Sequence, residues 1–291
     1  MHVLRTVPEL LRWRERVDPR HLVAFVPTMG FLHEGHLSLL RAGRDDAGAD
    51  GRLVLSVFVN PSQFGPNEDL DRYPRDEAGD LAKASGCGVD VAFCPPPGQM
   101  FSAEHRTWVD VAGLDRLLCG AFRPGHFRGV CTIVAKLWGL VRPHRAYFGE
   151  KDYQQLTILR HMHRDLHLSG TIVGMPIVRE PDGLAMSSRN ANLEPEARAR
   201  ATRISQALSS VRARFDAGER STAKLLDGAE SALSADRVDY LEIVDPDALE
   251  SIEYARAGAR VMVAAHYAGV RLIDNVELSG SSLGAFGYAH R

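Results

Sequence analysis

Pro27-Thr28-Met29-Gly30-Phe31-Leu32-His33-Glu34-Gly35-His36 follows the apolar run Leu22-Val23-Ala24-Phe25-Val26 and precedes a helical pattern that runs to Ala47. The reading is a strand over 22–26, a glycine-bearing loop, and a helix over 36–47. Gly30 and Gly35 let backbone amides come close to a ligand, and a helix starting at about His36 aims unpaired N–H groups and a positive dipole end at the same spot. His33 and His36 add imidazole donors that carry positive charge when an anion is bound. The combination suits a phosphate. The same two histidines also suit plain helix capping, while a metal pair is disfavoured because the glycine loop breaks the helix that would aim both rings at one ion.

Outward from this loop, short apolar runs alternate with helical patterns, the mark of a parallel sheet wrapped by crossover helices. Further strands are expected over 52–59, 89–93, 146–148 and 171–178, with helices over 76–85, 127–141 and 152–168. The fold class is therefore α/β, an open doubly wound parallel sheet. After Asn192 the texture becomes rich in Ala, Arg and Glu: helices are expected over 195–215 and 223–233, then β-patterned runs over 240–244, 260–265 and 270–273. At roughly 100–200 residues per domain, 291 residues favour two domains. We place them at 1–180 and 181–291, the second smaller and α+β.

Three more segments carry chemistry. Asn60-Pro61-Ser62-Gln63-Phe64-Gly65 leaves the 52–59 strand at its carboxyl end, where open α/β sheets bind ligands, and the amides of Asn60 and Gln63 suit the hydroxyls and carboxylate of a small polar acid. The acidic stretch that follows, ahead of Tyr73-Pro74-Arg75, reads as a solvated face. Phe148-Gly149-Glu150-Lys151-Asp152-Tyr153-Gln154-Gln155 again runs from strand through glycine into helix, with Lys151 a point charge for phosphate, Asp152 a helix cap or a ribose acceptor, and Gln155 one turn on. Met186-Ser187-Ser188-Arg189-Asn190 sets two hydroxyls beside a permanent cation, a grip for a triphosphate or a simple cap. Gly125-His126-Phe127-Arg128-Gly129-Val130 opens a helix and either borders the site or packs. His161, His163 and His167 suggest no third metal ligand nearby.

Composition narrows the classes. With 45% hydrophobic and 25% charged residues the chain is an ordinary globular protein, and a net charge of -2 speaks against nucleic acid as main partner. Cys87, Cys94, Cys119 and Cys131 form no C-x-x-C pair and read as free thiols in a reducing compartment. No signal-peptide or membrane-span pattern stands out, so the expectation is cytoplasmic, with no membrane partner.

The His33-Glu34-Gly35-His36 form between strand and helix resembles the nucleotide-binding signature of the nucleotidylyltransferase superfamily. Taken together and in this order, P-T-M-G-x-L-H-E-G-H, F-V-N-P-x-Q-F, G-H-F-x-G-V, F-G-E-K-D-Y-Q-Q and G-L-A-M-S-S-R-N resemble the pantothenate synthetases over essentially the whole chain. That resemblance implies a Rossmann-like N-terminal domain, a smaller C-terminal domain that closes as a lid, and a homodimer. It implies condensation of (R)-pantoate with β-alanine to pantothenate, on the route to coenzyme A, through a pantoyl adenylate, with AMP and pyrophosphate released. By similarity residues 29–36 hold the ATP phosphates, His36 taking the family's proton-donor role. Gly149, Glu150, Lys151, Asp152, Val178, Met186, Ser187, Ser188 and Arg189 complete the ATP site. Gln63 and Gln155 hold pantoate, and Gln63 also touches β-alanine. His33, His36, Lys151 and Arg189 are the expected catalytic set; Phe31 stands where the family varies.

The chemistry explains these residue types. A carboxylate is a poor acylating agent, so its oxygen attacks the α-phosphorus of ATP and pyrophosphate leaves; the amine of β-alanine then opens the mixed anhydride. Positioning and charge neutralisation dominate such transfer, so Mg2+ carried with the nucleotide is expected, no dedicated protein metal site, and no nucleophilic Ser or Cys. Attack by a carboxylate needs no proton, and a charge-stabilising hydrogen bond from His36 serves as well as proton transfer. Two other readings stay open. Another nucleotidylyltransferase would call for cations at Gln63 and Gln155 to hold a phosphorylated acceptor, and a regulatory nucleotide binder would show no turnover.

Overall fold

The computed structural model describes residues 1–66 and 68–279. Two compact units follow the chain, Met1–Leu193 and Glu194–Arg291. The division thus falls after the segment 186–190 and next to the change of texture after Asn192, beyond the expected boundary at 180. Ser188 Oγ donates to Phe31 O (3.3 Å) and Arg189 pairs with Asp69, so this segment stays with the first unit.

The first unit is built on a six-stranded parallel sheet. Its strands are β1 (His2–Leu4), β2 (Val23–Thr28), β3 (Arg52–Val57), β4 (Val91–Phe93), β5 (Arg145–Gly149) and β6 (Thr171–Met175), in the order β1-β4-β3-β2-β5-β6. The helices are α1 (Val7–Glu15), α2 (Glu34–Ala47), α3 (Glu77–Gly86), the short α4 (Pro97–Met100) and α5 (Cys119–Phe122), α6 (His126–Val141) and α7 (Tyr153–Asp165). Successive strands run outward from β2 through β3 to β4, and the chain then returns to the other side of β2 for β5 and β6. The order therefore reverses between β2 and β5, and a crevice opens at their carboxyl ends. Alternation along the strands divides the core: Ala24, Val26, Leu53 and Leu55 pack with Leu39 and Leu40 of α2, and Phe25 and Val54, equally inaccessible, face the opposite side.

Sequence and structure part at the edges. β1 and α1 escape a periodicity reading because a three-residue edge strand carries too little pattern; α1 is nonetheless well marked by a Thr6–Glu9 capping box. The expected strand 171–178 stops at Met175, since Pro176 has no N–H for the ladder.

The second unit holds an antiparallel sheet, β7 (Arg237–Val244), β8 (Arg260–Tyr267) and β9 (Val270–Glu277), with β8 central. Its helices are α8 (Pro195–Ala201), α9 (Arg203–Asp216), α10 (Thr222–Leu226) and α11 (Ala229–Ala232). The single helices expected over 195–215 and 223–233 are each two. At Thr202 the hydroxyl donates back to Ala199 O (2.8 Å), and Gly228 takes φ 70°.

Candidate functional site

The crevice is a cavity of about 240 Å3 wholly within the first unit. Its wall brings together His33, His36, Lys151 and Arg189, and with them Asn60, Gln63 and Gln155. Met29, Gly35, Gly149, Asp152, Val178, Met186, Ser187 and Ser188 also line it. Gly30, Phe31, Leu32, Glu34 and Glu150 do not.

Hydrogen bonds within the protein account for most of the first loop's backbone amides. α2 begins at Glu34, two residues before His36, with His33 as its N-cap. Gly35 N–H donates to His33 Nδ1 (3.2 Å) and His33 N–H to His36 Nδ1 (3.3 Å), so the amides near the helix start are already partnered. Phe31 and Leu32 N–H both point to the Asp80 carboxylate, at 2.7 and 2.6 Å. The two imidazoles are both caps and wall residues, their centroids 4.1 Å apart. Because each Nδ1 accepts a hydrogen bond, each neutral ring carries its proton on Nε2, the nitrogen left to donate. Burial, with the Lys151 charge added, drops the His33 pKa to about 4. Burial and then the neighbouring His33 hold His36 well below its ordinary value. In the ligand-free protein both are therefore neutral donors.

Asn60 and Gln63 sit on a 3-10 turn, Pro61–Gln63, after β3. Asn60 is spent on that turn: its Oδ1 accepts from Ser62 N–H (3.2 Å) and its Nδ2 donates to Gln63 Oε1 and to Gly129 O, both 3.1 Å. Among the described residues Gln63 Nε2 meets only the thioether of Met29 at 3.2 Å, a weak acceptor that a ligand oxygen readily replaces. α6 can press on this turn because residue 129 is glycine; a Cβ there would lie 2.4 Å from Ser62 O. His126 donates from Nδ1 to Gln63 O (2.9 Å) while its Nε2 accepts from Arg123 (3.1 Å), so the G-H-F-x-G-V segment borders the cavity as well as packing.

At the end of β5, Asp152 occupies the N-cap position of α7 but makes no capping bond, so capping does not account for it. Gln154 is consumed by Cys119 N–H, Leu114 O and Leu117 O, which leaves Gln155 as the glutamine of that pair on the cavity wall. Segment 176–189 folds back on itself, with Met186 N–H donating to Val178 O (3.0 Å) and Glu180 N–H to Leu184 O (2.8 Å).

The acidic stretch is a solvated face only in part, at Asp71 and Arg72. Glu68 pairs with Arg123 and the next residue, Asp69, with Arg189, and both arginines line the cavity. Tyr73, 6% exposed, lies under Arg189 with its ring centroid 5.6 Å from Cζ. Sequence reading missed Arg123 and Tyr73 as wall residues, and no local pattern marks them. The apolar floor, Val130, Ile133, Val134 and Leu137, is the inner stripe of α6, legible only as core.

Imidazoles, one lysine and two arginines around a cavity at the switch point of a Rossmann-like sheet define an α/β enzyme that works on a nucleotide phosphate. The family model described as pantoate-beta-alanine ligase matches residues 2–277. The chain belongs to that family. It is 54% identical to a pantothenate synthetase of Anaeromyxobacter dehalogenans, covering 88% of this chain and 91% of that one. It is 50% identical to that of Myxococcus xanthus, over 96% of each. The crystal structure of a pantothenate synthetase from Thermus thermophilus superposes with a TM-score of 0.90 at 48% identity, covering 96% of this chain and all (100%) of the other. A pantoate-beta-alanine ligase from Francisella tularensis, complexed with β,γ ATP and β-alanine, superposes at 0.80 with 29% identity, over 96% and 98%.

Proposed function

We propose that this chain condenses pantoate with β-alanine in two steps, using ATP and passing through a pantoyl adenylate. The observation that carries the reading is the convergence, on one cavity, of donors for phosphate with neutral amides for a small hydroxy acid. The ligase family to which the chain belongs, and the nucleotide and β-alanine in the Francisella relative, support it.

In the first step a pantoate carboxylate oxygen attacks the α-phosphorus and pyrophosphate departs. His36 and His33 donate from Nε2–H to phosphate oxygens without first having to gain a proton, and Lys151 supplies a point charge from the neighbouring strand end. Ser187, Ser188 and Arg189 take the leaving pyrophosphate. Gln63 and Gln155 hold the acid, with Asn60 fixing the turn that carries Gln63. In the second step the β-alanine amine attacks the acyl carbon, loses a proton, and AMP leaves. Mg2+ accompanies the nucleotide: Asp152 is the one carboxylate among the described cavity residues, and a metal held chiefly by phosphates suits so sparse a protein ligand set. The homodimeric state and cytoplasmic setting implied by the resemblance belong to the same proposal. No helix among the described residues is long and apolar enough to cross a membrane.

The test is exchange of labelled pyrophosphate into ATP with pantoate and Mg2+ present and β-alanine absent. Exchange is expected. A strict requirement for β-alanine would overturn the two-step mechanism.

A further inference from the structure

Gly30 is required for a reason other than phosphate. Its φ is 83°, and a Cβ there would lie 2.8 Å from Asp80 Oδ2 and 2.9 Å from Val57 Cγ1. The space a side chain would need is taken by a carboxylate from α3, fifty residues along the chain and only 1% exposed. Both oxygens of that carboxylate are engaged: Oδ2 by Phe31 N–H at 2.7 Å and Oδ1 by Leu32 N–H at 2.6 Å. Consecutive amides of this kind form an anion-binding nest, and here the protein supplies the anion itself. One turn along α3, Lys83 Nζ donates to Leu32 O at 2.7 Å, so the same helix holds the loop through an acceptor and a donor. Phe31 is kept at φ 52°, a conformation a non-glycine residue adopts only when its surroundings impose it.

The two ends of this loop carry the reacting groups. Before it, Met29 is the partner of the Gln63 amide; after it, His33 caps α2 and its N–H bonds His36 Nδ1. We infer that Asp80 is the positioning residue of the 29–36 loop, setting from behind the directions of His33, His36 and the Gln63 amide. Asp80 is not on the cavity wall and acts through the loop. The inference rests on the proposed reading only for what the loop does, since how Asp80 holds it is visible in the structure.

Asp80→Asn provides the test, because an amide offers one acceptor oxygen and turns an N–H toward the other N–H. Deuterium uptake of the peptide spanning 29–36 is expected to rise in the free variant, with uptake elsewhere and the thermal midpoint near wild type. Single-turnover adenylation is expected to fall about 10²-fold, the scale for slight misplacement of reacting groups. KM is expected to rise for ATP and pantoate together, because the loop serves both. If Asp80→Asn does not fold, Lys83→Met, which frees only the Leu32 carbonyl, is expected to raise uptake in the same peptide with a smaller rate loss. Uptake in 29–36 unchanged in the folded variant, or a rate loss that only tracks the folded fraction, overturns the inference. The uptake arm needs no substrate, so a wild type that fails pyrophosphate exchange would sink the proposed function without touching this result.

Discussion

Arg189, on the wall of the cavity, and Asp69 face each other as a two-pronged ion pair, Nε to Oδ2 at 2.8 Å and the terminal nitrogen to Oδ1 at 2.9 Å. Each side chain is about a quarter exposed (25% and 24%). An incoming polyphosphate must draw the guanidinium away from this carboxylate or accept it as a neighbour. We expect Asp69→Asn to tighten ATP binding about fivefold, the equivalent of roughly 1 kcal/mol for a partly solvated pair. Isothermal titration with a non-hydrolysable ATP analogue reads this directly. Weaker binding would mean that Asp69 presents Arg189 to the ligand and does not compete with it.

Acid stability should report on the buried imidazoles. His33, at about 4, lies below the ordinary histidine value near 6.5, so between those values the unfolded chain binds a proton the folded one refuses. Stability is therefore complete above about pH 6.5 and declines as pH falls toward 4, by on the order of 3 kcal/mol for this group. His126, also lowered to about 4 by burial, adds to the slope with the same sign. His33→Asn retains a good N-cap and removes the titration, so urea unfolding midpoints of the variant should depend less steeply on pH. An identical slope in both proteins would locate the acid sensitivity elsewhere.

Gln63→Ala should impair pantoate more than ATP. The amide is buried, and its N–H bonds a weakly accepting thioether in the free protein, so the ligand oxygen it would bind loses on the order of 1–3 kcal/mol when the amide is removed. Steady-state KM values for the two substrates distinguish the outcomes. An equal loss for both would assign Gln63 to the shape of the turn.

Lys151 and His36 follow different strands, β5 and β2, which are neighbours at the switch point. If they stabilise one transition state, each alanine variant should lower adenylation by about 10²–10³, and the double variant by less than the product. Single-turnover adenylation of all four proteins, with thermal unfolding as control, decides it. His36→Ala also strips the His33 amide of its partner, so the control matters most there. A near wild-type rate in either single variant would make that residue structural.

How much of the site was legible depended on whether its cause was local. The loops after 22–26 and 146–148 could be read because strand, glycine and helix start are written within a few consecutive residues, and His33, His36 and Lys151 were found that way. Asn60 reads as a ligand group and does line the cavity, but that its amide also ties the turn together is not visible from residue type. Arg123 looked unremarkable because its partners, Glu68 and the Gln63 carbonyl, lie far away in sequence.

The sequence by itself determined the α/β class, the family and the set of loops that meet, since hydrophobic period, glycine placement and residue order are local and survive without coordinates. Only the tertiary structure decided what those loops do with their hydrogen bonds. Asp80 is an ordinary helix position until α3 packs behind Gly30, and Asp69 an ordinary surface acid until it meets Arg189. Even the charge of His33 and His36 is settled by burial, because desolvation depends on everything that surrounds a ring and not on its neighbours in the chain.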